Sequence, residues 1–376
     1  MKRQRKKKFS IKKTLRLVIP LLFIILGIVL FINKDNLHTY YLTKTTGYDE
    51  LTITTIKDNN LNTSILNKKY SKTLESIINS EYFNSEYLDE YLDIEYHDKD
   101  NFLSNIDALL TLGYTSNDIN LIYNKLNDTS INIIINNTYL KDLSTIINLS
   151  YFKEDNLERY LKYINSNDFD SETAIIYVNI GLDNDYYSNV SSIEDPDDIL
   201  VLVNKYHKLS ADYIPSDLET INSKYQWYGR SNQLRKDARL AFEEMCEAAT
   251  KDNIYIYAGS GYRSYATQLT LYNNYVKRDG FAAAETYSAR ASYSEHQTGL
   301  AMDIANKTDF ISEGDKEYEW LINNSYKYGF ILRYPKDKEK ITGYMYEEWH
   351  YRYVGIDTAK AVYDSGLTYD EFVAKS

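Results

Sequence analysis

The feature of this sequence that most constrains its fold is a set of three candidate metal ligands in two distant segments. His296 and Asp303 lie seven residues apart in the segment 294–303, and His350 ends the segment 347–350. Two histidines and one carboxylate are the protein ligands that a hydrolytic zinc ion usually has, with a fourth position left for water. The fold must therefore return a distant segment to the first pair of ligands.

The residue three positions before the last histidine, Glu347, is the candidate general base that would take a proton from a metal-bound water. Residues 346–354 are rich in aromatic and β-branched side chains, which favours a strand. Residues three apart on a regular strand point to opposite faces, so we expect a bend or bulge near Glu348. Glu348 itself would share a strand face with His350 and is the alternative base. Gly299 is the expected bend between His296 and Asp303.

Three further polar residues are candidates for contacts with a substrate. Arg263 follows a predicted strand and precedes a predicted helix. A guanidinium there suits a substrate carboxylate or a developing oxyanion, and a surface salt bridge is the alternative. Gln268 and Ser294 are placed to contact a peptide, although Ser294 can instead cap a turn.

The N-terminus has the pattern of a membrane anchor. The first sixteen residues carry nine Lys or Arg and no acidic residue, and an uncharged apolar run follows from 17 to 32. We predict a cytoplasmic basic segment at 1–16 and a transmembrane signal-anchor at 17–33, with the rest of the chain extracytoplasmic. A cleaved signal peptide is the alternative, but no small-x-small site follows the run.

The charge of the remaining chain argues against nucleic acid as a partner. Of 43 Lys and Arg, 34 lie after residue 16, against 54 acidic residues. Polyphosphate binding needs a basic surface, which this balance does not provide.

Residues 36–190 are predicted to form an all-α arm of helical repeats. Apolar residues recur at helical spacing, and a weak repeat aligns anchors 30 to 38 residues apart, with Gly47, Gly113 and Gly181 directly before three of them. Glycine suits the chain reversal between paired helices. The arm would be a spacer or would dock an unknown protein partner, and a plain helical bundle is the alternative. The anchors are Tyr48, Phe83, Tyr114, Phe152 and Leu182.

The polar, proline-containing segment 191–198 is predicted to be a linker, and residues 199–376 to form an α+β domain. The single cysteine, Cys246, excludes an internal disulfide. It lies in a predicted helix, Leu234 to Thr250, and is interpreted as a packed side chain.

Residues 198–376 resemble the VanY-type zinc D-alanyl-D-alanine carboxypeptidases and the related LD-carboxypeptidases, which trim peptidoglycan stem peptides. The resemblance is carried by the following segments, in family order and at family-like spacing: Val203-Asn204-Lys205 to Tyr213-Ile214-Pro215, Ser260 to Tyr265 with Gln268, Ser294-x-His296-x-x-Gly299-x-Ala301-x-Asp303, Tyr328-Gly329-Phe330 to Arg333-Tyr334-Pro335, and Glu347-x-x-His350.

This resemblance implies a small α+β zinc-peptidase domain with a central antiparallel sheet. It also implies that His296, Asp303 and His350 bind Zn²⁺ and that Glu347 is the general base. Arg263 and Gln268, together with Ser294, would serve substrate binding, and the partners would be peptidoglycan stem peptides.

Two departures from the family pattern concern loop shape and substrate preference. The chain has Glu348 where the family often has proline, and Ala291-Ser292 where it often has Pro-Gly. The predicted activity is removal of the C-terminal D-alanine from stem peptides at a bacterial cell membrane. The alternatives are an LD-carboxypeptidase acting on tetrapeptide stems and a non-catalytic cell-wall scaffold that works through its helical arm.

Overall fold

The computed structural model describes residues 11–59, 61, 65 and 68–376, and it divides into two compact units, Met1–Ile147 and Asn148–Ser376. Residues 1–10 of the predicted basic segment therefore lie outside the described residues. The first unit is helical, with the elements α1 (Ile11–Ile32), α2 (Lys34–Thr46), α3 (Glu50–Asp58), α4 (Lys72–Ile77), α5 (Glu90–Asp93), α6 (Phe102–Leu112), α7 (Ser116–Lys125), α8 (Asp128–Ile135) and α9 (Leu143–Ile147).

The first helix, α1, carries the apolar run that was predicted to span a membrane. Apolar side chains between Val18 and Ile32 are about half exposed or more. Among the described residues, no single helix is both long and apolar enough to cross a membrane, whereas the segments 18–32 and 34–46 satisfy that test as a pair bent by 64°. A membrane anchor at 17–33 stays a prediction.

The second unit mixes helices and short strands, which confirms the mixed content predicted for the C-terminal part of the chain. Its helices are α10 (Leu157–Ser166), α11 (Ser171–Ile180), α12 (Lys236–Lys251), α13 (Tyr265–Asp279), α14 (Phe281–Tyr287), α15 (Lys316–Asn324), α16 (Glu339–Thr342), α17 (Ile356–Ser365) and α18 (Tyr369–Ala374). Its strands are β1 (Ser191–Ser192), β2 (His207–Lys208), β3 (Leu218–Thr220), β4 (Gln233–Arg235), β5 (Tyr257–Ser260), β6 (Ala301–Ala305), β7 (Phe330–Leu332) and β8 (His350–Tyr353).

Three glycines end helices of the predicted repeat, as expected from their place before the anchors. Gly47, Gly113 and Gly181 are the residues after α2, α6 and α11, with φ of 88°, 108° and 104°. This left-handed conformation carries no steric penalty for glycine and lets the chain reverse into the next segment.

The same side-chain contacts recur along the helical repeat. The hydroxyl of Tyr48 accepts a hydrogen bond from the backbone N–H of Ser71 at 3.0 Å, and that of Tyr114 accepts one from Leu140 at 3.2 Å. Each ring thereby ties one helical pair to the segment that leads into the next pair.

The boundary between the compact units lies at 147/148 and not at the predicted linker 191–198. Within that segment β1 pairs with β2 in parallel, so it is part of the second unit. Helix α11 packs on the C-terminal helix α18, and Asn179 Nδ2 donates to the carbonyl of Ala374 at 3.3 Å. The predicted arm 36–190 is therefore divided, because its last helices pack against the C-terminal end of the chain.

A four-stranded antiparallel sheet of order β5-β6-β8-β7 contributes buried residues to the second unit's main core. Helix α12 packs against it, and its buried residues recur at helical spacing on one face. Cys246 belongs to that face and is 1% exposed, which confirms that it is a packed side chain. The buried face consists of Ala238, Phe242, Met245, Cys246 and Ala249.

Candidate metal centre

Two neighbouring strands and a short helix bring the three predicted ligands to one point. Asp303 lies in the middle of β6 and faces His350, the first residue of β8, in the antiparallel register. His296 lies in the 3-10 helix Glu295–Thr298, which ends at Gly299 with φ 67°, so the chain bends where the sequence predicts. One ligand atom from each of the three residues lies within 4.8 Å of the others.

The orientation of the two imidazoles suits a metal ion. His296 Nε2 is 3.2 Å from Asp303 Oδ2, and His350 Nδ1 is 2.9 Å from Asp303 Oδ1. The other nitrogen of His296, Nδ1, lies 2.8 Å from the carbonyl oxygen of Gly261. Metal-binding histidines usually have this arrangement, with one nitrogen held by the protein and the other directed to the ion. Two nitrogen donors and one carboxylate are a donor set that fits zinc.

The electrostatics of the three residues keep the carboxylate ionised. Burial raises the pKa of Asp303, but the adjacent His296 and His350 outweigh burial and hold that pKa well below its usual range. Burial and the nearby guanidinium of Arg263 lower the pKa of His296. Burial lowers the pKa of His350, but the hydrogen bonds of its imidazole to Asp303 and Glu295 outweigh burial. The pKa of His350 is thereby raised to about 9. An anionic carboxylate and a neutral imidazole are the forms that bind metal ions, so His350 must lose a proton when an ion binds.

The predicted general base lies beside this group. Glu347 Oε2 is 3.8 Å from His350 Nδ1, and the backbone N–H of His350 donates to the carbonyl of Glu347 at 3.2 Å. The chain therefore turns between the two residues before β8 begins, and the bend expected near Glu348 is present. Burial raises the pKa of Glu347 to about 8.

The alternative base, Glu348, is half-buried and stands in the turn itself. Among the described residues, Glu347 lines the cleft around the ligands and Glu348 does not. The geometry therefore favours Glu347.

The predicted substrate-binding residues also line this cleft. Arg263 Nη1 donates to Gln268 Oε1 at 2.7 Å, and its Nη2 lies 3.5 Å from Asp303 Oδ2. Gln268 is 2% exposed and donates to the carbonyl of Ala289, so it holds the guanidinium in place. Ser294 precedes the 3-10 helix and makes no capping hydrogen bond through its side chain, which disfavours the capping alternative.

The cleft has a volume of about 740 Å³ and extends away from the ligands along aromatic and basic side chains. This volume falls within the range of small-molecule and peptide sites. Beyond the residues named above, it is lined among others by Arg230, Tyr262, Tyr275, Arg278, Tyr287, Phe310, Tyr334, Met345 and Trp349.

Sequence reasoning missed a set of buried charges behind the ligands. Glu295 is 1% exposed, and its carboxylate accepts hydrogen bonds from Arg333 Nε at 2.8 Å and Arg352 Nη1 at 2.9 Å. Both arginines are 0% exposed. One feature of the sequence could have indicated Glu295: it lies between Ser294 and His296, and both of these residues were predicted to have a role in the site.

Comparisons with known proteins identify the family of the chain. The family model described as VanY, D-alanyl-D-alanine carboxypeptidase, matches residues 231–356. YodJ of Bacillus subtilis (strain 168) is 40% identical over 209 residues, which cover 52% of this chain and 76% of that protein. The D-alanyl-D-alanine carboxypeptidase of Enterococcus faecalis (strain ATCC 700802 / V583) is 40% identical over 185 residues, covering 46% of this chain and 65% of that enzyme.

Two solved structures are also similar in sequence. The LdcB LD-carboxypeptidase is 40% identical, with 51% of this chain and 94% of that chain covered and a TM-score of 0.47. The vancomycin resistance D,D-pentapeptidase VanY from a VanB-type cassette, in complex with Zn(II), is 37% identical, with 46% and 98% covered and a TM-score of 0.40. By its sequence identity to relatives and its match to the family model, the chain belongs to the VanY family of D-alanyl-D-alanine carboxypeptidases, which are hydrolases of the metallopeptidase type.

Proposed function

We propose that this protein is a membrane-anchored zinc D,D-carboxypeptidase that removes the C-terminal D-alanine from peptidoglycan stem peptides. The observation that carries the proposal is the convergence of His296, Asp303 and His350, with Glu347 beside them in a cleft. The E. faecalis relative is a D-alanyl-D-alanine carboxypeptidase, which supports the choice of substrate.

The metal would be held by His296 Nε2, the Asp303 carboxylate and His350 Nδ1. Zinc, when bound, supplies a Lewis acid for the scissile carbonyl and lowers the pKa of a water molecule toward neutrality. The protein's part is to hold these donors in a buried site and to keep one side of it open to the cleft.

The remaining side chains supply proton transfer and substrate binding. The carboxylate of Glu347 takes the proton of the attacking water and gives it to the departing amine of D-alanine. The guanidinium of Arg263, held by Gln268, binds negative charge on the substrate, either its terminal carboxylate or the oxyanion of the carbonyl under attack. Ser294 lines the same cleft and contacts the peptide.

An N-terminal anchor fits this function, because the substrate lies outside the cell membrane. The basic residues before Leu17 would stay in the cytoplasm, and the chain after the anchor would lie on the outer side. The helices between the anchor and residue 148 precede the catalytic unit in the chain and would serve as a spacer or as a docking site for a protein partner.

The alternative function is LD-carboxypeptidase activity at the same site, which is supported by the sequence identity to LdcB. Both reactions release D-alanine and differ in the residue that precedes the scissile bond. Incubation of the full chain in detergent with defined pentapeptide and tetrapeptide stems, followed by mass spectrometry, distinguishes them.

We expect loss of one D-alanine from the pentapeptide, abolition of that loss by a chelator, and its recovery with added Zn²⁺. Cleavage of the tetrapeptide alone would replace the D,D assignment with the L,D one. A zinc-loaded chain that cleaves neither peptide would contradict the enzymatic proposal and favour the scaffold.

A further inference from the structure

The imidazole of His350 is held on the side away from the other two ligands by a buried carboxylate. Its Nε2 lies 3.4 Å from Glu295 Oε2, and the ring of Tyr334 packs on it with centroids 4.9 Å apart. Glu295 is 1% exposed, so this carboxylate has no access to bulk water.

Four buried charged residues form a continuous group behind His350, which we name the charge cluster: Glu295, Arg333, Arg352 and Asp370. Arg333 binds Glu295 through Nε at 2.8 Å and Asp370 through Nη1 at 2.6 Å. Arg352 binds the same oxygen of Glu295 as Arg333 does, at 2.9 Å. The cluster contains two positive and two negative side chains, each at most 1% exposed.

The cluster connects the site to the C-terminal end of the chain. Asp370 lies in α18, and its other oxygen accepts a hydrogen bond from Asn204 Nδ2 at 2.8 Å. Arg352 also donates from Nη2 to the carbonyls of Ile199 and Val201 at 3.0 and 2.8 Å. Polar contacts therefore bring together five segments of the chain, which lie near residues 200, 295, 333, 352 and 370.

Stability alone does not explain such a cluster. Removing charges from water costs several kcal/mol per ion, and apolar residues of similar volume often give equal or greater stability. What the cluster provides is orientation, because Glu295 is held through Oε1 by two arginines and presents Oε2 to His350. A carboxylate that accepts the Nε2–H of a histidine fixes the tautomer in which Nδ1 carries the lone pair for a metal ion.

We propose that Glu295 is the positioning residue that directs His350 Nδ1 to the metal, and that Arg333 and Asp370 hold Glu295 for that task. The C-terminal helix α18 is thereby part of the metal site, although it contributes no ligand. This inference rests on the proposed zinc site.

The test measures metal binding and not activity. The full-length protein and its variants are compared by competition of Zn²⁺ against a chromogenic chelator and by the visible spectrum of the Co²⁺-loaded form. For Glu295→Gln we expect a loss of zinc affinity of about 10- to 100-fold, the usual effect of losing an outer partner of a ligating histidine, and a shifted Co²⁺ spectrum. For Asp370→Asn we expect a smaller loss in the same direction.

A matched control lies next to Asp370 on the same helix. Glu371 is also buried, but its carboxylate caps α18 together with Thr368. Glu371→Gln should leave zinc affinity and the Co²⁺ spectrum unchanged even where it lowers the melting temperature. Equal losses of zinc affinity in Asp370→Asn and Glu371→Gln would overturn the role of Asp370, because they would report a general effect of helix stability.

If Glu295→Gln does not fold, the double variant Glu295→Gln/Arg333→Gln removes one charge of each sign and keeps the cluster neutral. A folded single or double variant with wild-type zinc affinity and an unchanged Co²⁺ spectrum would overturn the inference. A wild-type protein that binds no zinc would instead contradict the metal site of the proposed function.

Discussion

The two compact units of this protein bury different kinds of polar side chains. Among the described residues before 148, the buried polar side chains are all hydroxyls, namely Thr52, Ser71, Thr73, Ser116 and Ser130. The second unit also buries ionisable side chains: Lys205, Glu295, His296, Asp303, Glu317, Arg333, Glu347, His350, Arg352, Asp370 and Glu371. In the first unit the charged pairs lie at the surface, as Lys68 and Asp89 do, with exposed fractions of 54% and 88%.

Buried hydroxyls are compatible with a stable fold at little cost, whereas buried ionisable side chains indicate a chemical role. A buried hydroxyl is satisfied by one hydrogen bond to the backbone, whereas a buried charge needs a partner and still costs free energy. The helical repeat stabilises itself with apolar side chains and tyrosines. Most of the second unit's buried charges lie around one cleft and one helix end, whereas Lys205 and Glu317 do not line that cleft.

The largest effect is expected for Glu347, the buried charge that we propose as the general base. Glu347→Gln removes the proton acceptor and keeps the shape of the side chain, so kcat/KM for the pentapeptide should fall about 10²- to 10⁴-fold. Burial raises the pKa of Glu347 to about 8, so the charged form is disfavoured in the folded state and the neutral variant should melt no lower than the wild type.

Release of D-alanine and thermal unfolding of the same samples test both parts of this expectation. Glu348→Gln is the matched control, because Glu348 lies next in the chain and does not line the cleft. Comparable activity losses in the two variants would remove the distinction between Glu347 and the alternative base.

The second prediction concerns a buried charge that lies outside the metal site. Lys205 is 3% exposed, donates to the carbonyl of Glu285, and has the rings of Tyr186 and Tyr344 around its ammonium group. Burial lowers the pKa of Lys205 to about 8. The unfolded chain keeps a pKa near the usual ~10.4, so between pH 8 and pH 10 it binds more protons than the folded chain. Stability contributed by this group should therefore rise with pH across that window.

Comparison of wild type with Lys205→Met isolates this effect, because the other titrating groups are common to both. We expect the stability of the wild type to increase relative to the variant by roughly 2 kcal/mol from pH 7 to pH 10, measured by urea unfolding. Lys236→Met, at an exposed lysine of α12, should show no such trend. If the difference in unfolding free energy between wild type and Lys205→Met stays constant across this pH window, the lowered pKa of Lys205 is contradicted.

The candidate site was largely predictable from the sequence because its residues stand in two short motifs. Two of the chain's five histidines stand at fixed spacing from Asp303 and Glu347, and Gly299 marks the bend between His296 and Asp303. The charge cluster was not predictable in the same way. Arg333 and Asp370 are common surface types, and their contact is set by how α18 packs and not by any spacing in the sequence.

The helical repeat also shows which features of the fold could be predicted from the sequence and which could not. Glycine before an anchor residue predicted where helices end, because left-handed backbone conformation is a local property. The division of the chain into compact units was not predictable from composition. The segment 191–198 has the residues of a linker, yet it contains β1, which pairs with β2 further along the chain. Helix α11 belongs with α18 because of contacts made across nearly 200 residues of sequence.

The smallest effect is expected in the helical repeat, where a single neutral hydrogen bond is lost. Tyr114→Phe removes the hydroxyl that accepts from the backbone N–H of Leu140, leaving that donor without its partner in a site where Tyr114 is 4% exposed. The free energy of unfolding should fall by about 1 kcal/mol, with zinc affinity and kcat/KM unchanged. Tyr139→Phe is the control, because that ring packs on Tyr114 and is 44% exposed, so its variant should stay near wild-type stability. Loss of activity in Tyr114→Phe would mean that the repeat takes part in the chemistry, and the contrast between a self-supporting helical region and a charged catalytic one would no longer hold.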